Sequence, residues 1–507
     1  MENFGFGEPS IYQILYEHLD ERGYLPRDFS LRAVLAENDD ADGTTVLFSD
    51  GFMEGNLTGS DKGEERAVAL QTITRQVMEG QYQKAADGLK AFFAPEEPHL
   101  MNQYVLPLQE WIYEKRNDFD PERLVWFAVH LLQEADNVEI VKYALTLLEF
   151  YDFHEDEEIA PMLRLLAQCN EFTLFCLRDF SVWDTVLEEI FGTAQLVYGW
   201  GRIFALEVLE PKTAEIRHWM LLHGWDNDIN PEYTALLIAV AVDLAGVLRQ
   251  PQLNAAAFHS AAHIVNALLP DEPVQGISGL ADPAGLLTEF LRHAKEQAHT
   301  LEEYEIVWHI LQYAHTKLQG SAQESVEKAC GAVLQTFACA KTVQDAMEKG
   351  KGFALARALE LPYTDKAVQH VIQNPLQYVE LLPYVLNGDA HHDHHVMELY
   401  EELLPGMALD ETKPLTLRDQ LEGPYMDLNR ILSQLYGFPG TGEKLLQAAL
   451  FSPALMNRHA ALNIVSQWQD LGYTLSAMLR EAVEKLLLQE SNEDNQAKAK
   501  TILFRKK

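Results

Sequence analysis

Basic residues are scarce in this chain of 507: 39 lysines and arginines stand against 77 aspartates and glutamates, a formal charge of −38. A field of that sign repels phosphate backbones and anionic bilayers, so nucleic acid and a membrane surface are excluded as partners. Cysteine is scarcer still. Cys169, Cys176, Cys330 and Cys339 form no C-x-x-C pair, and each lies in an apolar stretch, which predicts reduced core residues rather than a disulfide framework. Long hydrophobic runs are missing too: the run Tyr233 to Val242 ends at Asp243, short of the roughly 20 residues a bilayer span needs. Met1 to Gly7 has neither a basic n-region nor an apolar h-region, so no secretory leader is expected and the expected compartment is the cytoplasm. There is no G-x-S-x-G, no Rossmann glycine pattern and no thiolate-haem motif, and no cofactor is expected.

What the chain does have is helical periodicity. With 47% hydrophobic and 23% charged residues it belongs with folded proteins. At this length a single ordinary core would be oversized unless it were extended by stacked units. From Glu64 onward apolar residues recur at three and four positions, for instance in Ala67 to Met78, Gln81 to Phe93, Leu100 to Tyr113, Glu122 to Glu134, Val138 to Phe150, Leu301 to Thr316 and Leu475 to Leu488. Breaks carrying Pro95, Pro121, Pro211, Pro231, Pro362, Pro375, Pro405 and Pro453 separate them. Roughly two dozen helices and an all-α fold follow at ordinary helix lengths.

One phrase repeats along the chain: a basic residue, an Ala-Leu pair, then two further aliphatics on one helical face. It reads Lys142, Ala144, Leu145, Leu147, Leu148; then Arg202, Ala205, Leu206, Val208, Leu209; then Arg458, Ala461, Leu462, Ile464, Val465. A second amphipathic segment follows each copy, near 157–168, 213–222 and 474–489. These copies resemble HEAT-like helical repeats, in which a small Ala lets paired helices approach and a Lys or Arg bridges adjacent units. Trp200-Gly201-Arg202, Glu215-Ile216-Arg217-His218 and Met456-Asn457-Arg458 are similar to phrases of uncharacterised bacterial helical-repeat proteins, which carry no established activity. The resemblance implies an α-solenoid of helix pairs.

The organisation expected is a small mixed N-terminal cap over 1–62, a helical-repeat half over 63–269, and a second over 286–507. The cap rests on a helix in Ser10 to Arg22 closed by Gly23, and on β-branched Thr44 to Phe48 before Asp50-Gly51, a hairpin signal ahead of Phe52 and Met53. Pro270 to Gly285 lacks helical periodicity and is long for a connection inside one compact unit, which places the boundary there. Pro405 to Pro424 is a second weak point.

Several motifs imitate chemistry. Gly437 to Lys444 looks like a phosphate loop, but Glu443 separates Gly442 from Lys444, Leu445 stands where a hydroxyl is needed, and Asn429 to Tyr436 reads as helix. His391-His392-Asp393-His394-His395 is the densest set of metal-ligand types; on a helix His391, His395 and Glu398 or Glu402 share a face suited to zinc or a redox metal. The competing reading is an exposed helix start after Asp389. His259 and His263 have two-His helical spacing without a general-base Glu, and their alanine surroundings read as a tightly packed helix. Asn38 to Ser49 imitates a calcium loop but ends on Ser49 where a bidentate Glu is required. Asp50 and Glu54 place two carboxylates beside a turn, where a turn-forming Asp is the simpler reading. Trp183, Tyr198, Trp200, Trp219 and Trp225 suit a core or a ligand groove.

The function expected from the sequence is therefore a non-enzymatic protein-binding scaffold; its acidity has two readings, the solubility of a long exposed array or the steering of a partner protein of basic character. The rival is a metal-binding protein or enzyme using the cluster from His391 to Glu398. No catalytic residue is assigned.

Overall fold

A computed structural model describes residues 4–39, 48–56, 63–94, 99–403 and 423–505. Every regular element among them is helical: 29 α-helices and three short 3₁₀ elements, with no strand. The described chain divides into two compact units, one ending at His293 and the other beginning at Ala294.

The first unit opens with α1 (Ile11–Glu17), α2 (Leu31–Asp39) and α3 (Phe52–Asn56). It continues through α4 (Gly63–Met78), α5 (Tyr82–Phe92), α6 (Val105–Lys115), α7 (Pro121–Glu134), α8 (Val138–Leu148), α9 (Ile159–Leu166) and α10 (Thr173–Phe180). Then come α11 (Val186–Leu196), α12 (Gly199–Val208), α13 (Ala214–His223), α14 (Glu232–Ala241), α15 (Leu244–Leu248), α16 (Ala255–Leu268) and α17 (Pro283–Gln297), whose last turn, from Ala294, is counted with the second unit. Side-chain caps fix many of the starts. Asn137 accepts from the amides of Glu139 and Ile140, Thr213 from Ile216, and Asn254 from Ala257, each satisfying amides that the first helical turn leaves open. Asp120 caps α7, with Pro121 at its first position where a missing N–H costs nothing.

The packing within this unit has a simple rule. Each even-numbered helix from α4 to α16 touches the next even-numbered helix, while α5, α7, α11 and α13 each lie against the even helix beside them in sequence. The helices of the even row are therefore flanked on several sides, and their burial reflects it. Every residue from Ile140 to Leu148 in α8 is buried, as is every residue from Gly199 to Leu206 in α12. A helix apolar around most of its circumference is stable only when surrounded in this way.

The second unit contains α18 (Leu301–Lys317), α19 (Gly320–Leu334), α20 (Phe337–Met347), α21 (Phe353–Ala358), α22 (Thr364–Gln373), α23 (Leu382–Val385) and α24 (Ala390–Glu401). It closes with α25 (Gly423–Ser433), α26 (Glu443–Leu450), α27 (Leu455–Asp470), α28 (Ala477–Gln489) and α29 (Glu493–Phe504). Thr300 and Glu303 form a reciprocal capping box at the start of α18. At the C-terminal end α25, α26 and α27 contact one another, α26 touches α28, and α27 touches α29. Trp468 anchors this core: its ring is fully buried and its indole N–H donates to the Leu435 carbonyl at 2.8 Å.

The hairpin expected around Asp50-Gly51 is corrected by the structure. Phe52 and Met53 begin α3 instead of a strand; of Thr44 to Phe48, the residues Thr44 to Leu47 lie outside the described chain. The physical reason is that the Asp50 carboxylate is committed elsewhere. It accepts from the Leu31 amide at 2.7 Å, the Arg32 amide at 3.2 Å and the Ser30 hydroxyl at 3.0 Å, so it caps α2 across the intervening segment. Gly51 takes a φ of 80° where an added Cβ would sit 2.7 Å from the Asn170 carbonyl, a close approach that glycine permits. The segment Pro270 to Gly285 is ordered around Asp271, whose carboxylate accepts from the amides of Gly276 and Ser278, and around buried Ile277. Most of Pro405 to Pro424 lies outside the described residues.

Candidate functional site

A group of strongly perturbed ionisable side chains lies inside the first unit, around Lys142 of α8. Its ammonium donates to Glu54 Oε1 at 2.6 Å, Glu171 Oε1 at 2.7 Å and Glu139 Oε1 at 3.0 Å, and the lysine side chain is fully buried. Glu171 is also held by Arg32 through two hydrogen bonds of 2.6 and 2.8 Å and accepts from the Gly51 amide at 3.0 Å. Asp50, capping α2, completes the group. The cluster thus ties three separate stretches together: the segment from Ser30 to Glu54, helix α8, and the turn before α10.

The electrostatics follow from burial set against proximity. Burial pushes the Lys142 ammonium toward deprotonation, but Glu139, Glu171 and Glu54 outweigh it and raise its pKa above 10.5. Burial likewise opposes ionisation of Glu171, yet Lys142 and Arg32 win and hold it at about 2. For Glu54 and Asp50 burial wins, and both carboxyls are raised. Glu54 Oε2 is buried without a hydrogen-bond partner, which fits a carboxyl that gives up its proton reluctantly. Two cations, Lys142 and Arg32, face four carboxyls, so raised values at two of them bring the buried charge toward balance.

What this arrangement can do chemically is bounded. A lysine held as ammonium has no lone pair for Schiff-base or nucleophilic chemistry. Glu54, Glu139 and Glu171 bring oxygens within 4.8 Å of one another, a spacing that suits a metal cage. The Lys142 ammonium, however, sits 2.6 to 3.0 Å from all three and takes the central position an ion would need. The donor set therefore fits an internal ammonium clamp and does not fit a resident metal.

The three copies of the repeated phrase lie in α8, α12 and α27, and each basic residue reaches past its own helix. Lys142 meets Glu171, 29 positions on. Arg202, nearly fully buried, donates to the carbonyls of Val197 at 2.8 Å, His223 at 3.2 Å and Asp226 at 2.8 Å. Arg458 pairs with Glu490, 32 positions on, and also donates to the carbonyls of Ser452 and Pro453. The Tyr198 ring is clasped between the guanidinium groups of Arg27 and Arg202, both 3.9 Å from its centroid.

A second buried group, not anticipated from the sequence, lies at Glu149 and Asp179. Both Asp179 carboxyl oxygens and Glu149 Oε1 are buried without hydrogen-bond partners. Burial pushes Glu149 up to about 8, partly offset by Arg178, and holds Asp179 well above its ordinary range with Glu149 adding to the effect. Burial likewise raises the thiols of Cys169 and Cys176, and all four cysteines are free and buried.

The remaining candidates fall as follows. Gly437 to Gly442 is a turn leading into α26; the Glu443 carboxylate accepts from the hydroxyls of Tyr473 and Ser476, and Lys444 pairs with Glu401 at 2.6 Å. His391 and His395 are exposed on α24; Glu398 lies 3.1 Å from His395 Nδ1 and 3.5 Å from His394 Nε2, and His391 joins neither contact. Asp393 is buried and accepts from the amides of Asn387 and Gly388. Among the described residues, the group of three potential ligand side chains brought within reach of one another is Glu54, Glu139 and Glu171 around Lys142. The calcium-loop positions Asp40 and Asp42 lie outside the described residues. Trp183 and Trp200 are core residues. His259 and His263 do not belong to a wholly buried face: Ala261 and Ala262 are buried, but His259 is exposed and His263 half-buried.

A cleft of about 400 Å³ lies beside α14 and α15, lined in part by Val240, Asp243, Arg249, Leu280 and Asp282. Its two aspartates are spent on backbone amides, Asp243 on Gly246 and Asp282 on Gly285. Neither a family model, nor a curated protein, nor a solved structure matches this chain. No described helix is long and apolar enough to cross a membrane.

Proposed function

We propose that this chain is a non-enzymatic α-solenoid of HEAT-like character that binds another protein, of basic character, in the cytoplasm. The observation that carries the reading is the row of even helices from α4 to α16, each stacked on the next with odd helices beside it. An array built by nearest-neighbour stacking offers an extended face rather than a single pocket, and such faces recognise other macromolecules. Two further facts support it. The strongly perturbed ionisable groups, Lys142, Glu171 and Asp179, are committed to the interior, and the formal charge of −38 steers cationic proteins toward the surface.

The test starts with affinity capture, after which the captured protein is produced separately and titrated against the purified chain by calorimetry. A saturable complex with a basic protein, weakened about tenfold or more between low salt and about 0.3 M salt, is the expected result. A partner that binds equally tightly at both salt concentrations overturns the electrostatic part of the reading. Zinc, iron or manganese that co-purifies in stoichiometric amount and is lost on His391→Ala overturns the scaffold reading in favour of a metal protein.

A further inference from the structure

The turn after α13 presents two carboxylates to a single guanidinium. Arg27 lies in the loop between α1 and α2, and its planar fork has two edges, one formed by Nε and Nη2, the other by Nη1 and Nη2. Asp228 takes the first edge: Nε donates to its Oδ2 at 3.0 Å and to its Oδ1 at 3.2 Å, and Nη2 donates to the same Oδ1. Asp226 takes the second edge, with Nη1 donating to Oδ2 at 3.0 Å and Nη2 to Oδ1 at 2.8 Å. The plane of the group lies over the Tyr198 ring, 3.9 Å from its centroid. Both edges and one face of a guanidinium are thus matched, a pattern that an ammonium, a compact charge without a fork, does not fill. The hydrogen bonds from Arg27 in turn hold the Asp226 carboxyl below its ordinary range.

The walls of this site are built without Arg27. Arg202, nearly fully buried, lies 3.9 Å from the Tyr198 centroid and donates to the Asp226 carbonyl at 2.8 Å, so one interior side chain fixes both the aromatic wall and the start of the acidic turn. Buried Asn227 accepts from the amides of Ile229 and Asn230 and closes that turn around Asp228. The occupant comes from a less secured segment. In the loop from Asp20 to Asp28 every residue but Leu25 is exposed, and among the described residues its hydrogen bonds to the rest of the unit are those of Arg27 and that of the Leu25 amide to Gln168 Oε1 at 3.1 Å. The side chains of Arg27, Asp226 and Asp228 are themselves 39 to 45% exposed, so another group can reach the site from solvent. Withdrawing Arg27 strips two carboxylates and a ring face of the cation that compensates them; exchanging it for another guanidinium therefore costs less than leaving the site vacant.

We propose that Tyr198, Asp226 and Asp228 form a receptor for an arginine side chain of a partner protein, and that Arg27 is its occupant in cis, exchanged for the partner's arginine on binding. The receptor stands on the geometry of its own residues; that a basic protein delivers the arginine rests on the scaffold reading. Lysine-rich surfaces of equal charge are disfavoured, because the two carboxylates are set to the edges of a planar fork.

The full-length chain is titrated with the peptide acetyl-Gly-Arg-Gly-amide and binding is followed by saturation-transfer NMR, in the wild type, in Arg27→Ala, and in Arg27→Ala combined with Asp226→Asn or Asp228→Asn. Arg27→Ala should bind the peptide saturably and about tenfold or more tightly than the wild type, because a tethered competitor has been removed. Either added Asn should weaken binding about tenfold, the scale of one charge-assisted bidentate contact. Acetyl-Gly-Lys-Gly-amide should bind at least about tenfold more weakly than the arginine peptide. Circular dichroism checks that each variant keeps its helices, and Arg27→Gln serves as a second vacated form. No binding to either vacated form, equal binding by wild type and Arg27→Ala, binding that survives both Asn substitutions, or no preference for arginine over lysine overturns the receptor. A captured basic partner should also bind Arg27→Ala about tenfold more tightly than wild type, and equal affinity overturns delivery of the arginine by that protein. With the peptide results intact, a failed capture counts against the scaffold reading alone.

Discussion

Replacing Lys142 by Met keeps most of the side-chain volume and removes one charge from the centre of the buried cluster. Glu54, Glu139 and Glu171 then face one another without the ammonium they now share at 2.6 to 3.0 Å. Breaking a buried ion pair by deleting one partner costs about 3–5 kcal/mol. The pKa of Glu171 gives a second route to the size of the effect. Its folded value of about 2 lies below the ordinary 4.5, so its contribution is complete above about pH 4.5 and is lost as the pH falls through about 2. That interval corresponds to about 3 kcal/mol at neutral pH, shared between Lys142 and Arg32, which both hold the carboxylate. Urea titration of wild type and Lys142→Met at pH 7 should therefore show a loss of about 3–5 kcal/mol. The deficit should shrink toward pH 4, where the variant can protonate its carboxyls. Adding Glu171→Gln to Lys142→Met should recover only part of the loss, because it removes one of the three carboxylates left without the ammonium but also takes from Arg32 its own partner. Glu54→Gln alone should cost less than Glu171→Gln alone, since burial already favours the neutral form of Glu54. A deficit for Lys142→Met below about 1 kcal/mol at pH 7, or one equally large at pH 4 and pH 7, would refute the account of Lys142 as a charge clamp.

Glu149 has the opposite sign. Its folded pKa of about 8 exceeds the ordinary 4.5, so the unfolded chain releases the proton first and stability falls as the pH rises from about 4.5 to about 8. Glu149→Gln should thus stabilise the protein by about 3 kcal/mol at pH 7 and very little at pH 4.5, read as urea midpoints at the two pH values. Gly55→Ala should destabilise by about 1–3 kcal/mol, since its Cβ would fall 2.4 Å from Trp200 Cζ3; an unchanged midpoint would show that the contact relaxes freely. Arg202→Met should cost about 3 kcal/mol, because it strands the carbonyls of Val197, His223 and Asp226 and strips Tyr198 of one guanidinium; thermal melts of the variant test it, and an unshifted transition would count against the clamp.

Much of the fold was legible because helix starts and breaks are local chemistry. Segments read from periodicity, such as Glu122 to Glu134 and Val138 to Phe150, return as α7 and α8 within a residue or two, and the capping side chains Asp120 and Asn137 sit at their starts. The stretch from Leu100 to Tyr113 divides into a 3₁₀ turn at Met101–Gln103 and α6. The Asp50-Gly51 hairpin failed for a non-local reason: the carboxylate that would shape a turn instead caps α2. The buried cluster was illegible on the same grounds. Lys142 occupies what a helical wheel marks as a tolerable polar position, and its partners arrive from 88 residues upstream and 29 downstream. Glu149 looks like an ordinary helix-end carboxylate until the packing of Asp179 and Arg178 is known.

The three basic residues of the repeated phrase show how one sequence position can be kept while its partner changes. Lys142 satisfies its charge with carboxylates, Arg202 with backbone carbonyls, and Arg458 with both Glu490 and carbonyls. The chemistry explains which residue stands where. A guanidinium has five donors in a planar fork and can cap several carbonyl groups at once, whereas an ammonium is a compact point charge that fits the centre of three converging oxygens. Exchanging the types should therefore fail in a predictable direction. Lys142→Arg overfills a site whose acceptors already lie 2.6 to 3.0 Å from the nitrogen, and Arg202→Lys leaves at least one of the carbonyls at Val197, His223 and Asp226 without a donor. Both swaps preserve charge, so a loss of about 1–3 kcal/mol in each would locate the clamping in donor geometry, and unchanged stability would reduce it to net charge alone.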